Sequence, residues 1–339
     1  MTLFGKRRIF LDFAGGRDNP SGIHREGSLA KKKLEEARQK VARTMHCQTR
    51  DVVFTSGATE SDNLAILGVF EALKNKVKKP HIIISRLEHP AVLESLREAE
   101  RRGAELQILP HEKIVSNIKE NTILVSITYG SSETGQINPV AKIAREIKTL
   151  RKERGTKYPF IHSDVTQAAP FFPVDIERVG VDLLTLDGLL ITKSNVEIRP
   201  IVFGGGQERG VRSGTENLES IREFAEDLRE MQSNWEEESK KVEKLKKLFL
   251  HEVQTRIPKA VINTPKLSLP NIVSLTIPGV LHEFLAIKLD QRGVAVSTGS
   301  SCDSMKSEKD KEALRFSFSK ETTENDIKKA IRILEEVVI

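Results

Sequence analysis

Residues 182–217 read DLLTLDGLLITKSNVEIRPIVFGGGQERGVRSGTEN. The opening run is almost continuously apolar, as a strand buried on both faces of a largely parallel sheet is. The closing run is rich in glycine, as a loop that comes close to a ligand is. Open α/β sheets bind ligands at the carboxyl ends of their strands, so this pair of segments predicts such a sheet.

The flanking sequence repeats the pattern. Residues 52–54 (VVF) predict a short buried strand that runs into Thr55-Ser56-Gly57-Ala58-Thr59-Glu60, with a helix over 63–70. Further strands are expected at 8–11, 81–85, 105–109, 122–128, 160–162 and 181–186, and 197–203 is a candidate neighbour of the last. Helices are expected at 28–45, opening on a Ser28 cap, and at 91–102 and 140–154. Such alternation implies a sheet covered by helices on both faces. Residues 216–253 predict one or two long charged helices. Beyond them, strands are expected near 272–276 and 314–318 and helices near 283–289 and 325–338. The expected division is a large domain over 12–250 and a smaller C-terminal α/β domain over 251–339, on which residues 1–11 can pack.

Composition excludes several classes. With 339 residues the chain can bury a substantial core. The net charge is +6, and the lysine runs at 31–33 and 241–247 are mixed with glutamates in helical contexts, so no direct nucleic-acid binding is expected. The two cysteines, Cys47 and Cys302, form no CxxC pair or zinc-ligand spacing, which predicts no metal site, no disulfide scaffold and a reducing compartment. The N-terminus carries no signal-peptide pattern and no run is long enough to span a membrane, so a cytoplasmic protein is expected.

Several residues invite chemistry. The 55–59 loop offers hydroxyls and backbone N–H groups at a helix start, either as a phosphate cradle or as an ordinary strand-to-helix turn. Asp164, with Gln167 nearby, could hold a proton on the ring nitrogen of a heteroaromatic cofactor or cap a turn. His89 could lie over a planar ring or cap a helix. Cys302, within a Gly/Ser-rich stretch, is expected to be an exposed thiol. Arg315, inside an apolar strand, needs an anionic partner if buried. Cys47, beside His46, has the setting of a packing residue.

In this order the motifs resemble the cysteine desulfurases, class V members of the fold-type I enzymes that use pyridoxal 5′-phosphate. The likeness runs through Leu11-Asp12, Asn19-Pro20-Ser21, Ile23-His24, 55–60, Glu88-His89, Glu133, Gly135, Pro139, 162–167, 204–217, 300–302 and Arg315-Phe316-Ser317. It implies a fold-type I transferase with a large mixed sheet and a smaller C-terminal α/β domain, assembled as a homodimer. Ala58 and Thr59 would then bind the cofactor phosphate, His89 would stack on the ring, Asp164 would pair with the ring nitrogen and Gln167 would approach the phenolic oxygen. Thr215 would reach the partner subunit's cofactor. Arg315 would hold the carboxylate of L-cysteine, and Cys302 would take its sulfur as a persulfide, releasing alanine. A sulfur acceptor, such as an iron–sulfur scaffold or a tRNA-thiolation protein, would follow.

The Schiff-base lysine that the resemblance implies is missing. Ungapped, Leu189 and Leu190 stand where a His-Lys pair is expected. With a gap, residues 189–191 are the next strand, a short segment containing the lysine is absent, and Lys193 lies beyond the strand. The gapped alignment brings residues 196–201 to the triple glycine in register and is preferred. Shortening is also expected between Gly16 and Asn19 and between Cys302 and Arg315, and Ser131 and Ser132 replace two asparagines. The alternatives to a desulfurase are a non-catalytic homologue that acts by binding, and another class V aminotransferase or lyase, which Cys302 in its Gly/Ser loop disfavours.

Overall fold

Alternation of apolar residues on short strands divides the larger part of the chain into two layers around one sheet. The computed structural model describes residues 2–3, 6–7, 9–298 and 313–338. A ribbon of β1 (Thr2–Leu3) and β2 (Lys6–Arg7) precedes α1 (Arg25–Thr44), β3 (Val52–Phe54), α2 (Ala58–Leu73), β4 (His81–Ser85) and α3 (Pro90–Arg101). There follow β5 (Glu105–Leu109), β6 (Thr122–Ser126), α4 (Val140–Arg154), β7 (Phe160–Asp164), α5 (Ile176–Val179), β8 (Leu183–Leu186) and β9 (Leu189–Thr192). Seven strands form one sheet in the order β3-β9-β8-β7-β6-β4-β5. Strands β4 to β8 are mutually parallel, and β9 is antiparallel to both β8 and β3. Val52, Phe54, Ile83, Ile161, Leu184 and Leu189 join the core shared with α1 and α4, whereas Val53, Ile82, Ile84, Phe160, Leu183 and Leu190 join the core shared with α2 and α3. Period-two alternation on a central sheet produces this division.

A single 39-residue helix, α6 (Leu218–Arg256), leads out of the sheet layer. Leu218, Ile221, Ala225 and Leu228 pack with α1 and α4, and Val242, Leu245, Phe249 and Val253 pack into a separate core. That core is completed by β10 (Val261–Ile262), β11 (Ile272–Thr276), α7 (His282–Asp290), β12 (Ser297–Thr298), β13 (Leu314–Ser317) and α8 (Glu324–Val338). Its strands form an antiparallel sheet in the order β10-β11-β13-β12.

Three expectations are corrected. Residues 9–11 are not a strand: Ile9 and Leu11 are exposed, and Phe10 turns back edge-on to Phe13 and His24. The helix expected to open at Ser28 opens at Arg25, because the His24 imidazole accepts a hydrogen bond from Gly27 N (3.0 Å) and caps it there. Residues 197–203 are not the neighbour of β8, since β9 takes that edge. This segment instead crosses α2 at Gly68, where a Cβ would meet the Ile198 side chain at 2.6 Å and Arg199 O at 2.8 Å.

Candidate functional site

The carboxyl ends of β3, β4, β6, β7 and β8 lie along one edge of the sheet, and the site is built there. After β3 the chain turns through Thr55-Ser56-Gly57 into α2, whose first N–H groups, on Ala58 and Thr59, have no intrahelical acceptor. A Cβ built on Gly57 meets nothing within 4 Å, so the space in front of this helix start is open. Ser56 N and Oγ both donate to Glu60, and Arg212 from the glycine-rich loop donates to Glu60 Oε1 at 2.8 Å. The loop is thereby fastened beside the helix start. Thr215, on the same loop, is exposed two residues before Asn217, the cap of α6.

After β4, His89 caps α3, its Nδ1 accepting from Ala91 N at 3.1 Å; this leaves the proton on Nε2 of an exposed ring. Asp164 is the last residue of β7, two residues later than the strand end expected from sequence. Its Oδ1 accepts from Thr166 N at 2.9 Å. Burial raises the Asp164 pKa, opposed by the hydrogen bonds from Thr166 and by the charge of His89. Gln167 follows in the turn. Arg315, on β13, donates from Nη1 to Ser132 O and from Nη2 to Ser297 Oγ, each at 3.0 Å. The loop it touches begins at Thr128, whose hydroxyl donates to Asp164 O. Ala58, Thr59, His89, Asp164 and Arg315 therefore border one region; Cys302 lies outside the described residues. Cys47 packs against the core and burial pushes its thiol up to about 12.

Sequence reasoning assigned no role to three further carboxyl groups here. Asp62, on α2 and fully buried, accepts from Thr185 Oγ1 at 2.6 Å; its Oδ2 has no partner among the described residues. Burial and then the charge of Asp164 hold its pKa well above the usual range. Glu88 accepts from Ser85 Oγ and Thr128 N, both at 2.6 Å, and its Oε2 is likewise without a partner among the described residues. Asp187, in the turn between β8 and β9, is raised by burial and by Asp164. The signal for Asp62 was its place one helical turn after Ala58, which brings it back onto the strand ends.

Burial pushes the Glu88 carboxyl up to about 7 from 4.5. Between those values the folded protein keeps a proton that the unfolded chain has lost, so this group's contribution makes stability fall as pH rises through the window. Glu88→Gln is expected to lose less melting temperature than the parent between about pH 5 and about pH 7. Equal losses in parent and variant would reject the assignment.

Residues 12–330 match the family described as aminotransferase class-V. The chain belongs to this family. Among its class V relatives, the cysteine desulfurase IscS of Dictyoglomus turgidum is 32% identical over 98% of this chain and 95% of that protein. Cysteine desulfurase IscS 1 of Archaeoglobus fulgidus is 31% identical over 94% of this chain and 89% of that protein. A solved structure titled NifS-like protein superposes with a TM-score of 0.85 at 31% identity, covering 94% of this chain and 91% of that one. The Dictyoglomus alignment extends over 383 positions against a chain of 339 residues, so the relative carries segments that this class V chain lacks.

Class V members of the desulfurase type depend on pyridoxal phosphate, and the donor set here fits that group in two of three respects. The α2 start suits a phosphate dianion, and Asp164 with His89 suits a protonated heteroaromatic ring. The third respect, an amine for the aldehyde, is not met by the connection between β8 and β9. It consists of Asp187 and Gly188 alone, Leu186 pairing with Leu189 across the turn. Lys193 sits at the opposite end of β9: its N donates to Asp182 O and its Nζ pairs with Glu177 at 2.8 Å. Five residues on from Gly188, at about 3.3 Å each, it is about 16 Å from the turn.

Proposed function

We propose that this chain is a cysteine desulfurase-type protein that takes L-cysteine as substrate and Cys302 as sulfur acceptor. The placing of the α2 start, His89 and Asp164 along one sheet edge, with Arg315 reaching from β13 to the loop after β6, carries this reading. Pyridoxal phosphate, when bound, supplies an electron sink for the α-carbon of the amino acid. Ala58 and Thr59 would hold its phosphate through backbone N–H groups, Asp164 would keep its ring nitrogen protonated, and His89 would cover the ring face. Gln167 would reach the phenolic oxygen. Arg315 is the cation assigned to the substrate carboxylate, because both its acceptors among the described residues are neutral. Cys302 would take the sulfur as a persulfide, its S–S bond replacing the C–S bond of the substrate while the thiol protons pass to the persulfide and to the departing alanine. Turnover is expected to be slow, since no lysine stands at the β8–β9 turn to move the α-proton.

The reading extends to a homodimer in which Thr215 serves the partner subunit's site. Its support is the exposure of Ile23, Leu29, Val202 and Phe203, apolar residues on or near the loop-bearing face. A sulfur-accepting protein, a cytoplasmic setting and the two-domain division at about residue 250 belong to the same proposal. Among the described residues no helix is long and apolar enough to cross a membrane.

The test is persulfide formation on the protein supplied with pyridoxal phosphate and L-cysteine, read by mass spectrometry. Parent and Cys47→Ala are expected to gain one sulfur, and Cys302→Ala none. A second reading, a homologue that binds but does not catalyse, is favoured by the short Asp187-Gly188 turn. Absence of persulfide in the parent would establish it over the first.

A further inference from the structure

We propose that Lys246, in the second half of α6, sets the site's affinity for the carboxylate of its amino-acid ligand by holding in place the loop on which Arg315 rests. The inference rests on the desulfurase-type reading of the site and deepens it. Lys246 acts here as a positioning residue, through residues 267–269 and the loop after β6.

Lys246 is buried on the face of α6 that otherwise carries Val242, Leu245, Phe249 and Val253 into the smaller core. An ammonium group is costly there unless it is hydrogen-bonded. Its Nζ donates to Ser268 Oγ and to Leu269 O, each at 2.7 Å, and both acceptors are neutral. Burial brings its pKa down to about 8, opposed by the charge of Glu243, so it is mostly protonated at neutral pH. The segment it grips runs between β10 and β11 and reaches across to the large sheet. Leu269 N donates to Gly135 O at 2.7 Å, and Ile137 N donates to Leu267 O. Fully buried Leu269 lies against Gly130, where a Cβ would meet its Cδ1 at 2.9 Å.

The loop held in this way ends in a closed turn. Ser131 N donates to Gln136 O at 2.9 Å and Gly135 N to Ser131 O at 3.0 Å, and at the tip Ser132 O accepts from Arg315. The other acceptor of that guanidinium, Ser297 Oγ, belongs to the smaller sheet. Arg315 is therefore aimed by one partner from each sheet, and a shift of the tip against the smaller sheet removes one of them. A two-pronged contact with a carboxylate is sensitive to such a shift. The groups assigned to the cofactor are fastened elsewhere: Asp164 by Thr166, His89 by Ala91, and the α2 start by Glu60 with Arg212. Loosening the tip should thus weaken the carboxylate contact and spare the cofactor.

The experiment supplies the full chain with pyridoxal phosphate and compares, by calorimetry, its binding of L-alanine and of L-alaninamide, which lacks the carboxylate. The parent is expected to prefer L-alanine by about tenfold, a difference of about 1.4 kcal/mol. Lys246→Met, which keeps the length and removes the ammonium, is expected to lose most of that preference while binding pyridoxal phosphate as the parent does. Ser268→Ala, a milder change at one acceptor, should lower the preference by less. Val242→Ala, a cavity variant in the same core, should leave it intact. Unchanged preference in both Lys246→Met and Ser268→Ala, or an equal fall in Val242→Ala, would overturn the inference and leave the site reading in place. A parent that binds neither ligand, or both equally, would overturn the site reading itself.

Discussion

Arg38→Leu is expected to destabilise the sheet and its glycine-rich loop by about 3–5 kcal/mol, because it leaves a buried carboxylate without its cation. Arg38, on α1, donates through Nη1 and Nη2 to the two oxygens of Glu208 at 2.8 and 2.7 Å, and Nη1 also donates to Val52 O at 2.9 Å. Arg38 is 3% exposed and Glu208 4% exposed, so water cannot replace the partner. Glu208 Oε2 accepts in addition from Phe54 N at 3.0 Å, which ties the loop to the last residue of β3, just before the anion cradle. Glu208 and Arg209 both hold positive φ, +45° and +58°, and backbone of this kind persists only where its surroundings enforce it. The double variant Arg38→Leu/Glu208→Leu should recover part of the loss; the remainder, about 1–3 kcal/mol, reflects the unpaired Phe54 N–H. Denaturant unfolding followed through Trp235 measures both. A loss below about 1 kcal/mol for the single variant would mean the pair is solvated in solution.

Phe249→Ala should cost a similar amount, about 3–5 kcal/mol, through the cavity it leaves. The ring is fully buried in the C-terminal half of α6 and packs on Phe316 and Phe318, with centroids 4.8 and 5.3 Å away. Phe316 neighbours Arg315 on β13, so the same ring fixes the strand that brings the guanidinium to Ser132. Phe249→Leu, which retains most of the volume, should cost much less than the alanine variant. Nearly equal losses for the two would show that ring contact rather than filled volume holds this core together. The measurement is again denaturant unfolding, with a second probe to detect separate loss of the smaller core.

Where the apolar period was local and unbroken, the sequence was readable. The helix expected at 140–154 is α4 residue for residue, and the strands at 81–85 and 105–109 are β4 and β5. The preferred gap also placed a strand directly after Asp187-Gly188, where β9 runs. The reason for that gap was the register of residues 196–201 with the triple glycine. Residues 197–203 misled because their apolar content suits a strand, while their contacts are with the surface of α2. His24 was passed over as a cap because imidazole is not among the usual capping side chains, and a serine stood nearby.

The sequence alone determined that the connection after the β8 run holds an aspartate and a glycine and no lysine, since that is a matter of covalent order. It also determined the strand–turn–helix units that leave N–H groups open at the start of α2, since helix and strand periods act over a few residues. Only the tertiary structure decided that Asp62, Glu88, Asp164 and Asp187 share one edge and that Asp62 and Glu88 each keep an unpartnered oxygen. Those residues are far apart along the chain. Their electrostatic coupling depends on strand order and burial, which the collective packing of the sheet sets and no local pattern encodes.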